Sequence, residues 1–165
     1  FVEYEKLSKL IKVEKKNINF ASVLVNPNNQ ILEKIKNDNF DYFQLYDVGP
    51  ERTKEIKLKY KTKIISAITV SDKDDVAKYK DYSEISDIIL FDSKGYHKSE
   101  SFDHNLLDGL PNELNKMIAG NIQIDDIPNF RKKDFIIDLS GALEDQNGKK
   151  DINKIDKLLN LFKKI

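Results

Sequence analysis

Short apolar runs alternate along the chain with longer segments whose apolar residues recur at helical spacing. Residues 2–13, "VEYEKLSKLIKV", put Leu7, Leu10 and Ile11 on one helical face. Residues 19–26, "NFASVLVN", predict a strand, because Val23, Leu24 and Val25 run together without that spacing. The same logic predicts helices over 29–38, 50–61, 72–82, 104–114, 123–130 and 152–164. Strands are predicted over 41–47, 63–70, 86–92, 116–120 and 134–140. Pro50 stands at or just before the first turn of its helix, where a missing N–H costs nothing. Six strands alternating with seven helices predict a parallel sheet, and strands this uniformly apolar require cover on both faces or closure into a barrel.

The site decides between an open sheet and a barrel. No Gly-x-Gly-x-x-Gly run follows the first strand, and no P-loop is present, so nucleotide-binding open sheets lose their signature. Several strands end on polar residues instead: Asn26, Asp92, Gly120-Asn121, and Asp138 with Ser140-Gly141. Barrels of the (β/α)8 class place their chemistry at the C-terminal ends of strands and often hold phosphate in the loops after the last two. The expected fold is therefore an α/β (β/α)8 barrel, with residues 1–165 as a single domain.

Composition narrows the partners. The 165 residues carry 28 Lys+Arg and 28 Asp+Glu, so no net field draws the chain toward nucleic acid or an anionic membrane. The doublets Lys149-Lys150 and Lys163-Lys164 are expected on solvated faces. No apolar run reaches the roughly 20 residues of a membrane span, and no signal-peptide pattern opens the chain. Cysteine is absent, and a cytoplasmic setting fits. The two histidines, His97 and His104, give no ligand spacing, so neither metal nor cofactor is expected. The first residue is Phe1 rather than Met.

In order along the chain come "VLVN", "FQLYDVGPE", "LFDSK", "SFDHNLL", "IAGNI", "DLSGALE" and "GKKD". Their order and spacing resemble those of the phosphoribosylanthranilate isomerases of tryptophan biosynthesis, over essentially the whole chain. The resemblance implies a barrel whose first strand, first helix and second strand precede the helix at residues 2–13. One such βαβ unit is roughly 40 residues, which added to this chain reaches the ~200 of a minimal barrel. The chain is thus expected to be N-terminally truncated, and inactive alone.

The resemblance also implies the chemistry, an Amadori rearrangement of a phosphoribosyl amine of anthranilate to an amino-ketose. Ring opening needs a proton on the ring oxygen, and tautomerisation needs a base at the sugar C2. The acid falls on Asp92, whose carboxyl must then hold its proton through burial or a neighbouring carboxylate. A plain turn-capping role is the alternative reading of Asp92. The family's base is a cysteine on its first strand. Asp138 is implied to bind a substrate hydroxyl, or else to brace its loop. Gly120, Asn121, Ser140 and Gly141 are implied to hold phosphate through backbone N–H groups and the Ser140 hydroxyl, although Asn121 and Gly141-Ala142 depart from the family's pattern. So does Tyr46-Asp47, where the family has His-Gly. His104 stands where the family usually has tryptophan, which favours packing; His97 is expected in a loop and Asp151 as the cap of the last helix. Two other functions compete: a non-catalytic or decayed phosphosugar-binding barrel, and another phosphate-binding barrel isomerase or epimerase. The expected partner is a small phosphorylated sugar–anthranilate substrate. Oligomeric state stays open, with a monomer favoured.

Overall fold

The computed structural model describes residues 2–93 and 101–163. Phe1, His97 and Lys164 lie outside the described residues, as does Lys94 of the "LFDSK" motif. Six parallel strands form one sheet in chain order: β1 (Ala21–Val25), β2 (Tyr42–Tyr46), β3 (Lys63–Val70), β4 (Ile88–Ser93), β5 (Lys116–Ile118) and β6 (Ile136–Ile137). Helices α1 (Tyr4–Leu10), α2 (Asn29–Ile35), α3 (Pro50–Tyr60), α4 (Lys73–Ala77), α5 (Tyr79–Tyr82), α6 (Ile127–Arg131) and α7 (Ile152–Lys163) complete the alternation. Sequential parallel strands joined by such crossovers are the construction of a (β/α) barrel, as the sequence predicts.

The chain divides into two compact units. The first comprises Phe1–Ile68 and Lys78–Ile89. Its core joins Leu32 and Ile35 of α2, Phe43 and Leu45 of β2, Val48, Ile56 of α3 and Ile64 of β3, all buried. Each such side chain contributes about 1.5–3 kcal/mol of apolar transfer. Local chemistry sets the helix starts: Asn28 Oδ1 accepts the Ile31 N–H (3.0 Å) ahead of α2, and Pro50 begins α3. Asp87 anchors β3 by accepting from the Ile64 N–H (2.8 Å) and from Lys57 Nζ (2.9 Å). β1 leaves Val23 and Val25 exposed.

The second unit comprises Thr69–Ala77 and Leu90–Ile165. Its buried residues include Leu90 and Phe91 of β4, Ile118 of β5, and Ile127 and Phe130 of α6. Three predicted elements are corrected within this unit or across its boundary. The helix expected over 104–114 is only a 3-10 turn, His104–Leu107, because Asp108 is extended, Gly109 takes φ +86° and Pro111 cannot rejoin a helical ladder. The helix over 72–82 is broken into α4 and α5. The strand over 134–140 pairs only at Ile136–Ile137, so Asp138 to Ser140 form its exit. Asp151 caps α7 as expected, its Oδ1 accepting the Asn153 N–H at 2.8 Å.

Candidate functional site

All the predicted site residues lie in the second unit, at the exits of β4, β5 and β6. Ladder hydrogen bonds bring them level. Ala119 N–H donates to Phe91 O (2.9 Å), and Asp138 N–H donates to Ile118 O (2.9 Å). Asp92 and Gly120 therefore follow the bonded positions Phe91 and Ala119, and Asp138 is itself bonded to Ile118, so the three stand near one end of three consecutive strands. Parallel pairing turns a sequence separation of 46 residues between the two aspartates into one shared end of the sheet.

The two carboxylates interact. Asp138 is partly buried, and its carboxyl is pushed above the usual carboxylate range, first by burial and then by the negative charge of Asp92. The ammonium of Lys150 pulls in the opposite direction. Asp92 also has a local partner, since its Oδ1 accepts the N–H of Ser93 at 2.7 Å. That bond reaches only the next residue, one short of the N–H that an Asx turn engages. It occupies one oxygen and is compatible with chemistry at the carboxyl.

Gly120 is required by its surroundings. It takes φ +88°, and a Cβ there would lie 2.9 Å from both Cβ and Oγ of Ser93 and 3.0 Å from the Ser93 backbone N. The backbone at the β5 exit thus lies directly against the residue that follows Asp92. Ser93 Oγ is itself buried without a hydrogen-bond partner among the described residues. Asn121 continues in a left-handed conformation (φ 55°), which asparagine tolerates. Gln123 Nε2 holds it by donating to both Asn121 O and Asn121 Oδ1, each at 3.1 Å. A reciprocal pair between Gln123 and Asp126 then opens the 3-10 turn Ile124–Asp126 that leads into α6.

His104 is packed, as its position suggests. Its ring stands edge-on to Phe102 (4.8 Å between centroids) and Phe130 (5.0 Å), with Nε2 buried and without a hydrogen-bond partner among the described residues. Burial holds its pKa below the ordinary histidine value, against an opposing pull from the Gly120 backbone. The neutral ring is a wall of the β5 exit.

The β6 exit holds what the sequence reading missed. The 3-10 turn Gly141–Leu143 follows Ser140, and the chain then reverses through residues 145–148, "DQNG". Asp145 N–H donates to Lys149 O (2.7 Å), Gly148 takes φ +73°, and Glu144 bridges Lys150 in antiparallel fashion. This reversal swings Lys150 back onto the β6 exit. Lys150 Nζ donates to Ser140 O (2.9 Å), Ser140 Oγ (3.1 Å) and Glu144 Oε1 (2.7 Å). Lys150 lies on an exposed face, as expected of the doublet, and its ammonium is in addition held at the β6 exit. The signal was present in Asn147-Gly148, a strong hairpin dipeptide, whose effect is to return the next residues to the strand before it.

Comparison with known proteins follows this geometry. Residues 1–161 match the family model for N-(5'-phosphoribosyl)anthranilate (PRA) isomerase. The chain is 31% identical to the N-(5'-phosphoribosyl)anthranilate isomerase of Rhizobium rhizogenes, over 94% of this chain and 75% of that protein. It is likewise 31% identical to the enzyme of that name from Staphylococcus haemolyticus, over 93% of this chain and 77% of the relative. The crystal structure of phosphoribosyl anthranilate isomerase from Thermotoga maritima superposes with a TM-score of 0.84 at 21% identity, covering all of this chain and 82% of the other. A structure of a phosphoribosyl anthranilate isomerase in complex with reduced 1-(o-carboxyphenylamino)-1-deoxyribulose 5-phosphate matches with a TM-score of 0.82 at 20% identity, covering all of this chain and 81% of that one.

Proposed function

Because the chain belongs to the N-(5'-phosphoribosyl)anthranilate isomerase family of tryptophan biosynthesis, we propose that its β4, β5 and β6 exits carry the acid and the phosphate site of that isomerisation. Asp92 is the general acid, Asp138 binds a substrate hydroxyl, and the backbone around Gly120, Asn121, Ser140 and Gly141 takes the phosphate. The substrate is a phosphoribosyl amine of anthranilate and the product its amino-ketose. The observation that supports the reading is the electrostatic influence of Asp92 on Asp138 at the ends of β4 and β6, on either side of β5.

The division of labour follows from charge. Burial and then the negative charge of Asp92 raise the Asp138 carboxyl, so Asp138 is the group the fold favours in its protonated form. Asp92 delivers its proton to the ring oxygen as the C1–O bond breaks, and the nitrogen lone pair forms the imine. Loss of the C2 proton to a base then gives the enamine, which tautomerises to the ketose; no described residue is assigned that base. Asp138, with its carboxyl pushed up, acts as a hydrogen-bond partner for a hydroxyl. The short turns after Gly120-Asn121 and Ser140 lie where the substrate's phosphate would seat. A cytoplasmic location fits this metabolic role, and among the described residues no helix is long and apolar enough to cross a membrane.

Asp92→Asn in the whole gene product is the test. Asparagine keeps the acceptor that holds the Ser93 N–H and removes only the transferable proton. kcat falls about 10²- to 10⁴-fold with KM little changed. A variant retaining wild-type kcat would make Asp92 a turn cap and remove the acid from this reading.

A further inference from the structure

Lys150 is the one cation whose ammonium lies at the proposed phosphate loop with both oxygens of Ser140 in reach, among the contacts of the described residues. Its third partner is the carboxylate of Glu144, which is held below the usual carboxylate range chiefly by that ammonium. Lys150 also acts electrostatically on Asp138, the partly buried carboxyl of the site. Two independent relations, one to the loop and one to the acidic pair, thus converge on a single side chain. Nearby charges include Lys154, whose Nζ donates to Glu144 O (2.6 Å), and Asp145 and Asp151, whose Oδ1 atoms are engaged by backbone N–H groups.

We propose that Lys150 is a substrate-binding residue, which leaves Glu144 to pair with the phosphate dianion of the substrate and so couples phosphate capture to the β6 exit. The proposal rests on the phosphate reading given above. Its energetics favour exchange. The Lys150–Glu144 pair is exposed, with half of the lysine side chain and about a third of the glutamate accessible, and such pairs contribute little. A phosphomonoester carries about −1.5 to −2 charge at neutral pH, against −1 for the carboxylate, and offers three acceptor oxygens. The ammonium is a compact point charge on a flexible stem, so it can turn from Glu144 to phosphate without leaving Ser140. Glu144 then acts as a competitor that holds Lys150 over the loop until the phosphate arrives.

The two carboxylate-facing roles of Lys150 make opposite predictions. If Lys150 binds phosphate, Lys150→Met raises the inhibition constant of inorganic phosphate and the KM of the phosphorylated substrate by about 10- to 100-fold. kcat changes far less, and Lys150→Arg restores most of the loss. Glu144→Gln releases the ammonium and makes phosphate inhibition tighter. If Lys150 only braces the loop, Glu144→Gln weakens phosphate as Lys150→Met does, and that result overturns the proposal. Crystals of the whole gene product soaked in inorganic phosphate separate this failure from failure of the reading beneath it. Phosphate seated at Ser140–Gly141 with Lys150 still on Glu144 and out of reach refutes the inference alone. Phosphate found only elsewhere refutes both.

Discussion

Gly120→Ala tests the geometry of the β5 exit most directly. The added Cβ would sit 2.9 Å from Ser93 Cβ and Oγ and 3.0 Å from Ser93 N, closer than any ordinary carbon contact. Rotating the Ser93 side chain removes only the Oγ contact; the Cβ and the backbone N belong to β4, which is bonded to β5 through Phe91 O. Alanine also has to adopt φ +88°, which costs an L-residue about 1–2 kcal/mol. Overpacking against a fixed strand adds about 1–3 kcal/mol. The sum, about 2–5 kcal/mol, is a large part of the stability of an ordinary domain. Chemical denaturation followed by circular dichroism reads it as a fall in midpoint at unchanged slope. Ser93→Gly in the Gly120→Ala background removes two of the three close atoms, leaving the backbone N at 3.0 Å, and recovers most of the packing share but not the conformational share. Relief is partial, about 1–2 kcal/mol remaining. A Gly120→Ala protein of wild-type stability, or one whose loss Ser93→Gly leaves untouched, would refute the claim that the β5 exit is pressed against the residue after Asp92.

Other perturbations address single links. Asp138→Asn removes a carboxyl whose pKa the fold raises; such a group stabilises the fold while protonated and loses that contribution as pH rises through its folded value. Thermal melts therefore show the variant more stable than wild type at neutral pH, with the difference vanishing below about pH 4, while kcat/KM falls about tenfold or more. His104 is shifted the other way, so its contribution is present at neutral pH and is lost as pH drops below about 6.5. His104→Phe, measured by melts between pH 5 and 8, removes that acid-side slope. Leu32→Ala, at a fully buried position of the first unit, costs about 2–5 kcal/mol in denaturant titration. Asp151→Ala loses the cap of α7 and about 1 kcal/mol in the same assay.

The alternation of apolar runs and amphipathic segments determined by itself the parallel (β/α) architecture. Strand β3 was legible over its full predicted range, because five of the eight residues of "KIISAITV" are β-branched and the run shows no helical spacing. Asp92, Gly120 and Asp138 stood out in the sequence as candidate site residues because a polar residue or glycine that ends a buried run at a strand exit needs a reason. Their level arrangement did not, since it depends on the bonds Phe91–Ala119 and Ile118–Asp138, between residues 28 and 20 apart in the chain. The helix expected over 104–114 failed for a related reason: "HNLLDGLPNEL" has the apolar spacing, yet Gly109 and Pro111 each break the ladder it needs. Tertiary structure alone decided which carboxyl rises, because burial of Asp138 and the proximity of Asp92 are properties of three strands together. It alone placed Lys150 on Ser140. A charged doublet in sequence carries no direction, and only the reversal at Asn147-Gly148 brings one of its two ammonium groups, on a side chain that stays half exposed, to the β6 exit.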